Sequence, residues 1–217
     1  MAAPVFDVGG QDSATLTTDI TTALTIAATA NRVLYCFIND TANAGITSVK
    51  WNTTEAFTQL ATGTYNGATN SWHLWRLINP TAATSSVVTV KAATGTMSQV
   101  AVCYNGADQT TPDDGADEAE GSGTAVQNTV TTQAGDTAIA WVAASGSTTM
   151  AEASGETERV DDTTGVRLYE LAGADTTVSF DVTLGTSRAW VCVGLNLNAV
   201  AAGVTTRRYS LPLTGVG

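Results

Sequence analysis

The sequence predicts an all-β protein, an antiparallel β-sandwich or jelly roll divided into two pseudo-repeated β units, and three observations carry that expectation. Thr is abundant and Gly numbers 20, whereas charged residues make up only 13% of the 217-residue chain. Thr is β-branched and stiff at χ1, which favours extended backbone, and its hydroxyl tolerates water on the outer side of a sheet. Short apolar runs recur between clusters of turn formers, and no segment reads as a helix. One pattern also occurs twice. Trp72-His73-Leu74-Trp75-Arg76-Leu77 precedes Val100-Ala101-Val102-Cys103-Tyr104-Asn105-Gly106, and Val166-Arg167-Leu168-Tyr169-Glu170-Leu171 precedes Trp190-Val191-Cys192-Val193-Gly194-Leu195-Asn196.

Taken in order, residues 1–12 read as an N-terminal arm, because Pro4, Gly9 and Gly10 interrupt regular structure. The first β unit spans 13–112. Leu16, Ile20, Leu24 and Ile26 are set among Thr in a strand-like segment, and Val33–Ile38 is an apolar strand ending in the turn formers Asn39–Gly45. Ile46–Asn52 alternates, residues 58–70 form a loop or hairpin around Gly63 and Gly67, and Trp72–Leu77 stops at Asn79-Pro80. Val87–Lys91 and Val100–Tyr104 are expected to pair across Gly95. Residues 113–124, rich in Asp, Glu, Gly and Ser, read as an acidic linker or loop. The second unit, 125–200, is expected to pack on the first, with a polar stretch at 146–164 replacing the middle strands of the first. Residues 201–217 read as a C-terminal arm.

Composition narrows the function classes. Twenty acidic against 9 basic residues give a net charge of −11, a surface that repels phosphate backbones and anionic lipid, so neither nucleic acid nor membrane is an expected partner. No apolar stretch approaches the ~20 residues a spanning helix needs, and the N-terminus lacks the basic and apolar regions of a signal peptide. Cys36, Cys103 and Cys192 lie inside apolar runs at wide spacing. An odd, scattered set is neither a disulfide framework nor a zinc site, and buried free thiols are expected.

Candidate chemistry is sparse. His73 is the only histidine, and no Gly-x-Ser-x-Gly elbow accompanies it, so a structural role is expected. Asp113, Asp114, Asp117, Glu118 and Glu120 are the residue type that binds calcium but lack the calcium-loop spacing. Glu156 and Glu158 near Asp161 and Asp162 offer a carboxylate pair of the kind glycoside hydrolysis uses, with no sugar-stacking aromatic close in sequence. Trp51, Trp72, Trp75, Trp141 and Trp190 are read mainly as core. Trp72 and Trp75 have opposite parity on one strand, so one is core and the other is the first suspect for an exposed platform. Asn39-Asp40-Thr41 and Asn52-Thr53-Thr54 match the glycosylation pattern by chance in Thr-rich text. No catalytic residue, metal or cofactor is expected.

Residues 33–112 resemble a β-rich module that recurs in phage virion proteins and in large bacterial surface proteins. The matching pieces are Ile46–Asn52 with Phe57, Trp75-Arg76-Leu77-Ile78-Asn79-Pro80, Val87–Val90, and Val100–Tyr104 followed by Asn105-Gly106-Ala107-Asp108-Gln109-Thr110-Thr111-Pro112, whose ending is the most specific part. The resemblance implies jelly-roll or sandwich domains with structural or adhesive roles and no shared catalytic residues. The expected function is therefore a virion structural protein, a bacteriophage capsid decoration or minor capsid protein that stabilises the shell. A fibre, spike or carbohydrate-binding adhesion module is the alternative. Expected partners are the major capsid protein or other virion proteins and further copies of the chain, a trimer among the options, and the expected location is the virion.

Overall fold

A computed structural model describes residues 2–153, 155–162 and 165–201, with the side chains of Leu16 and Asp162 outside that description. Every regular element among these residues is a β-strand: β1 (Val5–Thr25), β2 (Val33–Asp40), β3 (Ile46–Trp51), β4 (Glu55–Ala56), β5 (Thr58–Tyr65), β6 (Asn70–Ile78), β7 (Thr84–Asn105), β8 (Asp113–Thr131), β9 (Thr137–Ala144), β10 (Met150–Glu152), β11 (Thr157–Asp162), β12 (Val166–Ala172) and β13 (Thr177–Leu197). They form two antiparallel sheets. The first runs β4-β3-β7-β2-β6-β5 with β1 on β7, and the second runs β10-β13-β9-β12-β11 with β8 on β13.

Both sheets curl over themselves, and one long strand in each makes the turn. The second half of β7, from Met97, lies between β2 and the start of β1, whereas its first half, up to Lys91, lies between β3 and the end of β1. Register shifts between Ala14 and Asp19 of β1 mark the bend. In the second sheet β13 does the same. Trp190–Leu197 pairs with β9 and the start of β8, and Thr177–Leu184 with β10 and the end of β8. Each curled sheet encloses its own core. Ile20, Leu34, Cys36, Trp51, Val87 and Cys103 fill the first, and Val130, Val142, Tyr169, Phe180 and Cys192 the second. A third core joins the sheets face to face: Val33, Tyr35, Phe37, Trp72 and Tyr104 meet Ile139, Trp141, Leu168 and Val193. Phe37 stacks on Trp141 with ring centroids 5.7 Å apart. The continuous burial of β2 and β9 follows from this, because one face of each central strand belongs to the shared core and the other to a private one, leaving all eight residues of each buried.

The repeat read from the sequence is a repeat of topology, with β1, β2, β3, β5, β6 and β7 matching β8, β9, β10, β11, β12 and β13. Val33, the first residue of β2, pairs with Ile78 and Tyr104, and Thr137, the first of β9, pairs with Ala172 and Leu197. In that frame Trp72–Leu77 and Val166–Leu171 occupy the same place. The cysteines do not: Cys103 lies opposite Leu34 near the start of β2, and Cys192 opposite Val142 near the end of β9. Ala107 and Ala199 form an antiparallel β-bridge between the units. Asp108 N donates to Asn198 O at 2.9 Å, and reciprocally Val200 N donates to Gly106 O at 3.2 Å. Each unit also opens on a buried proline, Pro4 before β1 and Pro112 before β8.

Several expectations need correction. Residues 5–12 are strand rather than arm. Gly9 and Gly10 are close-approach positions there, since a Cβ would meet Val160 Cγ2 at 2.7 Å and Leu24 Cδ2 at 2.9 Å. Residues 113–124 are strand rather than linker, because the apolar β13 offers a full hydrogen-bonding partner while the charges sit on a sheet edge. The two apolar runs around Gly95 do not pair with each other but are successive halves of the bent β7. The 146–164 stretch keeps shortened strands, β10 and β11, rather than losing them. Residues 202–217, most of the expected C-terminal arm, lie outside the described residues.

Candidate functional site

His73 sits on β6 facing the first unit's private core and is 7% exposed. Thr62 Oγ1 donates to Trp72 O at 2.9 Å and lies 2.9 Å from His73 Nδ1, which Gln59 Nε2 also faces at 3.5 Å. Nε2 lies 3.1 Å from Ser71 Oγ. A serine beside an imidazole is the pairing of a nucleophile and its base. However, Ser71 is only 2% exposed, so no substrate carbonyl reaches it in this arrangement. Burial, with a smaller contribution from the Lys91 charge, holds the imidazole below its ordinary pKa of 6.5, while Asp40 opposes the shift. A lowered folded pKa gives stability that is fully present above pH 6.5 and is lost as pH falls through the folded value. Replacing His73 by Gln is accordingly expected to flatten the fall in melting temperature between pH 7 and pH 5. Parallel wild-type and variant profiles would refute it.

The carboxylates named from the sequence are dispersed. Along β8, Asp113 accepts from Tyr35 Oη and Arg76 Nη1, each at 2.8 Å. Asp114 accepts from Asn196 and Asn198 at 3.0 and 2.7 Å, and Glu118 from Trp72 Nε1 at 2.8 Å. Among the described residues no group of three His, Cys, Asp or Glu gathers to hold a metal ion. Glu158 and Asp161 share the Arg167 guanidinium at 2.6 and 3.0 Å, while Glu156 accepts backbone N–H groups of Asp181 and Ala153. The Asp162 side chain lies outside the described residues.

Three of these contacts bind one unit to the other. Tyr35 and Arg76 of the first unit reach Asp113 of the second, and Trp72 reaches Glu118. In the other direction Tyr104 Oη donates to Glu170 at 2.8 Å. Glu170 is clamped by Arg159, whose guanidinium lies 5.0 Å from the Phe6 ring centroid. Burial pushes the Tyr35 and Tyr104 phenols well up, so both remain donors. Arg76 and Glu170 hold equivalent places, opposite Tyr35 in β2 and Ile139 in β9. The repeated topology therefore puts opposite charges at matching positions, a complementarity the local sequence gave no sign of.

The tryptophans form no platform. Trp51, Trp72 and Trp141 are buried in cores, Trp190 is 8% exposed, and Trp75 is half-buried against the first private core. The large hydrophobics exposed among the described residues are Val5 and Val200. Asn39 is buried and accepts from Tyr65 Oη, and Asn52 occupies a turn at φ 51°. The Gly106–Pro112 segment, the most specific part of the resemblance, is the crossing between units. Asp108 accepts from Thr110 N and Thr111 N, and Gln109 Nε2 donates to Arg32 O. Arg32 also donates to Pro80 O at 2.9 Å, which ties the Asn79-Pro80 turn to the same junction.

The surface left for partners is sheet edge. Among the described residues β1 pairs only with β7 and β8 only with β13, so two strands of 21 and 19 residues each keep one side unpaired. A shallow groove beside β8, of about 390 Å³, is lined by Asn66, Gly67, Glu120, Gly121, Ser122 and Ala189. Compared with protein-family models, with curated proteins and with solved structures, the chain matches none.

Proposed function

We propose that the chain is a virion structural protein, a capsid decoration or minor capsid protein that works as a rigid block and clamps neighbouring shell subunits. The observation that carries the reading is the use to which its ionisable groups are put. Arg76, Arg159, Arg167 and Lys91 all pair with carboxylates that lock strands or units together. Such a body suits mechanical load, and its long edges suit strand addition by a partner. The partners are the major capsid protein and further copies of the chain, where closed symmetry such as a trimer multiplies weak contacts.

Mass spectrometry of purified particles tests the reading. The expected result is the chain at a fixed ratio to the major shell protein. A chain abundant in infected cells but missing from particles would refute it, and selective glycan binding by that chain would place it among adhesion modules instead.

A further inference from the structure

We propose that Lys91 and Asp40 condense spontaneously into an intramolecular amide, a covalent staple across the far end of the first unit. Lys91 Nζ lies 2.7 Å from Asp40 Oδ1, and both side chains are 0% exposed. Removing an ammonium and a carboxylate from water is costly, and their attraction offsets that cost only with excellent geometry and full hydrogen bonding. Condensation removes both charges at once. The enclosure also keeps the amine against the carboxyl carbon at a high effective concentration and away from bulk water.

Donors and space surround the pair. Ala42 N donates to Oδ1 at 3.1 Å and Ala44 N to Oδ2 at 2.8 Å, so backbone donors already point where negative charge gathers when nitrogen adds to Cγ. Gly95 makes room for the amine, since a Cβ there would lie 2.7 Å from Lys91 Nζ. Ser71 stands directly opposite Asp40 in the β2–β6 register, and His73 is one diagonal step away on the same face. Met97 lies opposite Asp40 on the other side, in β7.

The step balances without a co-reactant. A proton passes from the ammonium to the carboxylate, giving neutral amine and acid. Nζ then attacks Cγ, the N–C bond forms, and one carboxyl oxygen departs as water carrying two hydrogens that began on Nζ. An amide N–H and C=O remain in place of the two charges.

Intact mass and tryptic mapping of the full chain test this directly. The folded protein is expected to be one water lighter than its sequence requires. Trypsin is expected to spare Lys91 and release Val33–Lys50 joined to Leu77–Arg159. Recovery of a free Leu77–Lys91 peptide at full yield from folded protein would overturn the proposal. Lys91→Arg keeps the cation but lacks the amine, so it is expected to restore the full sequence mass. A water loss that persists in this variant would assign the loss elsewhere and overturn the proposal equally.

Discussion

Trp141→Ala is expected to lower the unfolding free energy by about 3–5 kcal/mol, the usual cost of deleting a large buried aromatic. Trp141 is 0% exposed at the centre of the shared core, stacked on Phe37 of the opposite sheet. Its indole N–H finds no acceptor among the described residues, so the loss falls on packing and cavity rather than on a hydrogen bond. Because the residue packs in the core that both sheets share, the units are expected to unfold together. Denaturant titration read by circular dichroism should show one transition at a lower midpoint. A loss below about 1 kcal/mol, outside the range for buried aromatics, or a second transition from the other unit melting separately, would contradict the shared-core account.

The second large effect is expected at Asp113. Its carboxylate is 3% exposed and takes the Arg76 guanidinium and the Tyr35 hydroxyl across the unit boundary. Asp113→Ala strands a guanidinium and a buried phenol together. Full burial of such a pair would make the loss ~3–5 kcal/mol, but Arg76 keeps 19% of its side-chain exposure, and water reduces the expected cost to about 2–3 kcal/mol. A double-mutant cycle with Arg76→Ala separates the pair from its surroundings, and a coupling energy near zero would show that Asp113 serves only as acceptor for Tyr35.

The all-β class and the doubling of the chain were legible because both rest on local pattern: Thr-rich alternation, apolar runs and the Trp72–Leu77 and Val166–Leu171 likeness. The buried cysteines followed from the same local evidence. The edges of the units were not legible. Gly9, Gly10 and the acidic run at 113–120 carry the local signature of irregular chain, and only distant partners, Val160, Leu24 and β13, make strands of them. The likeness of Cys103 to Cys192 misled for a related reason, since composition matched where register did not. The charged contacts lay further beyond reach: Lys91 with Asp40 and Tyr104 with Glu170 span 51 and 66 residues. Nothing local to either partner announces the other.

The reciprocal bridge at Ala107 and Ala199 bears on how much the order of the chain matters. Ala2, Ala3 and Val5 line one groove with Gly106 and Val200, so the start of the first unit sits beside the end of the second. Joining Val200 to Pro4 would make a connection equivalent to the existing crossing that leads into Pro112. A circularly permuted chain, opened at the crossing and closed by joining Val200 to Pro4, keeps the strand pairs of the natural order. Among the described residues the fold is in this sense a ring of two units, joined at the crossing and nearly meeting again where Val200 lies beside the start of β1.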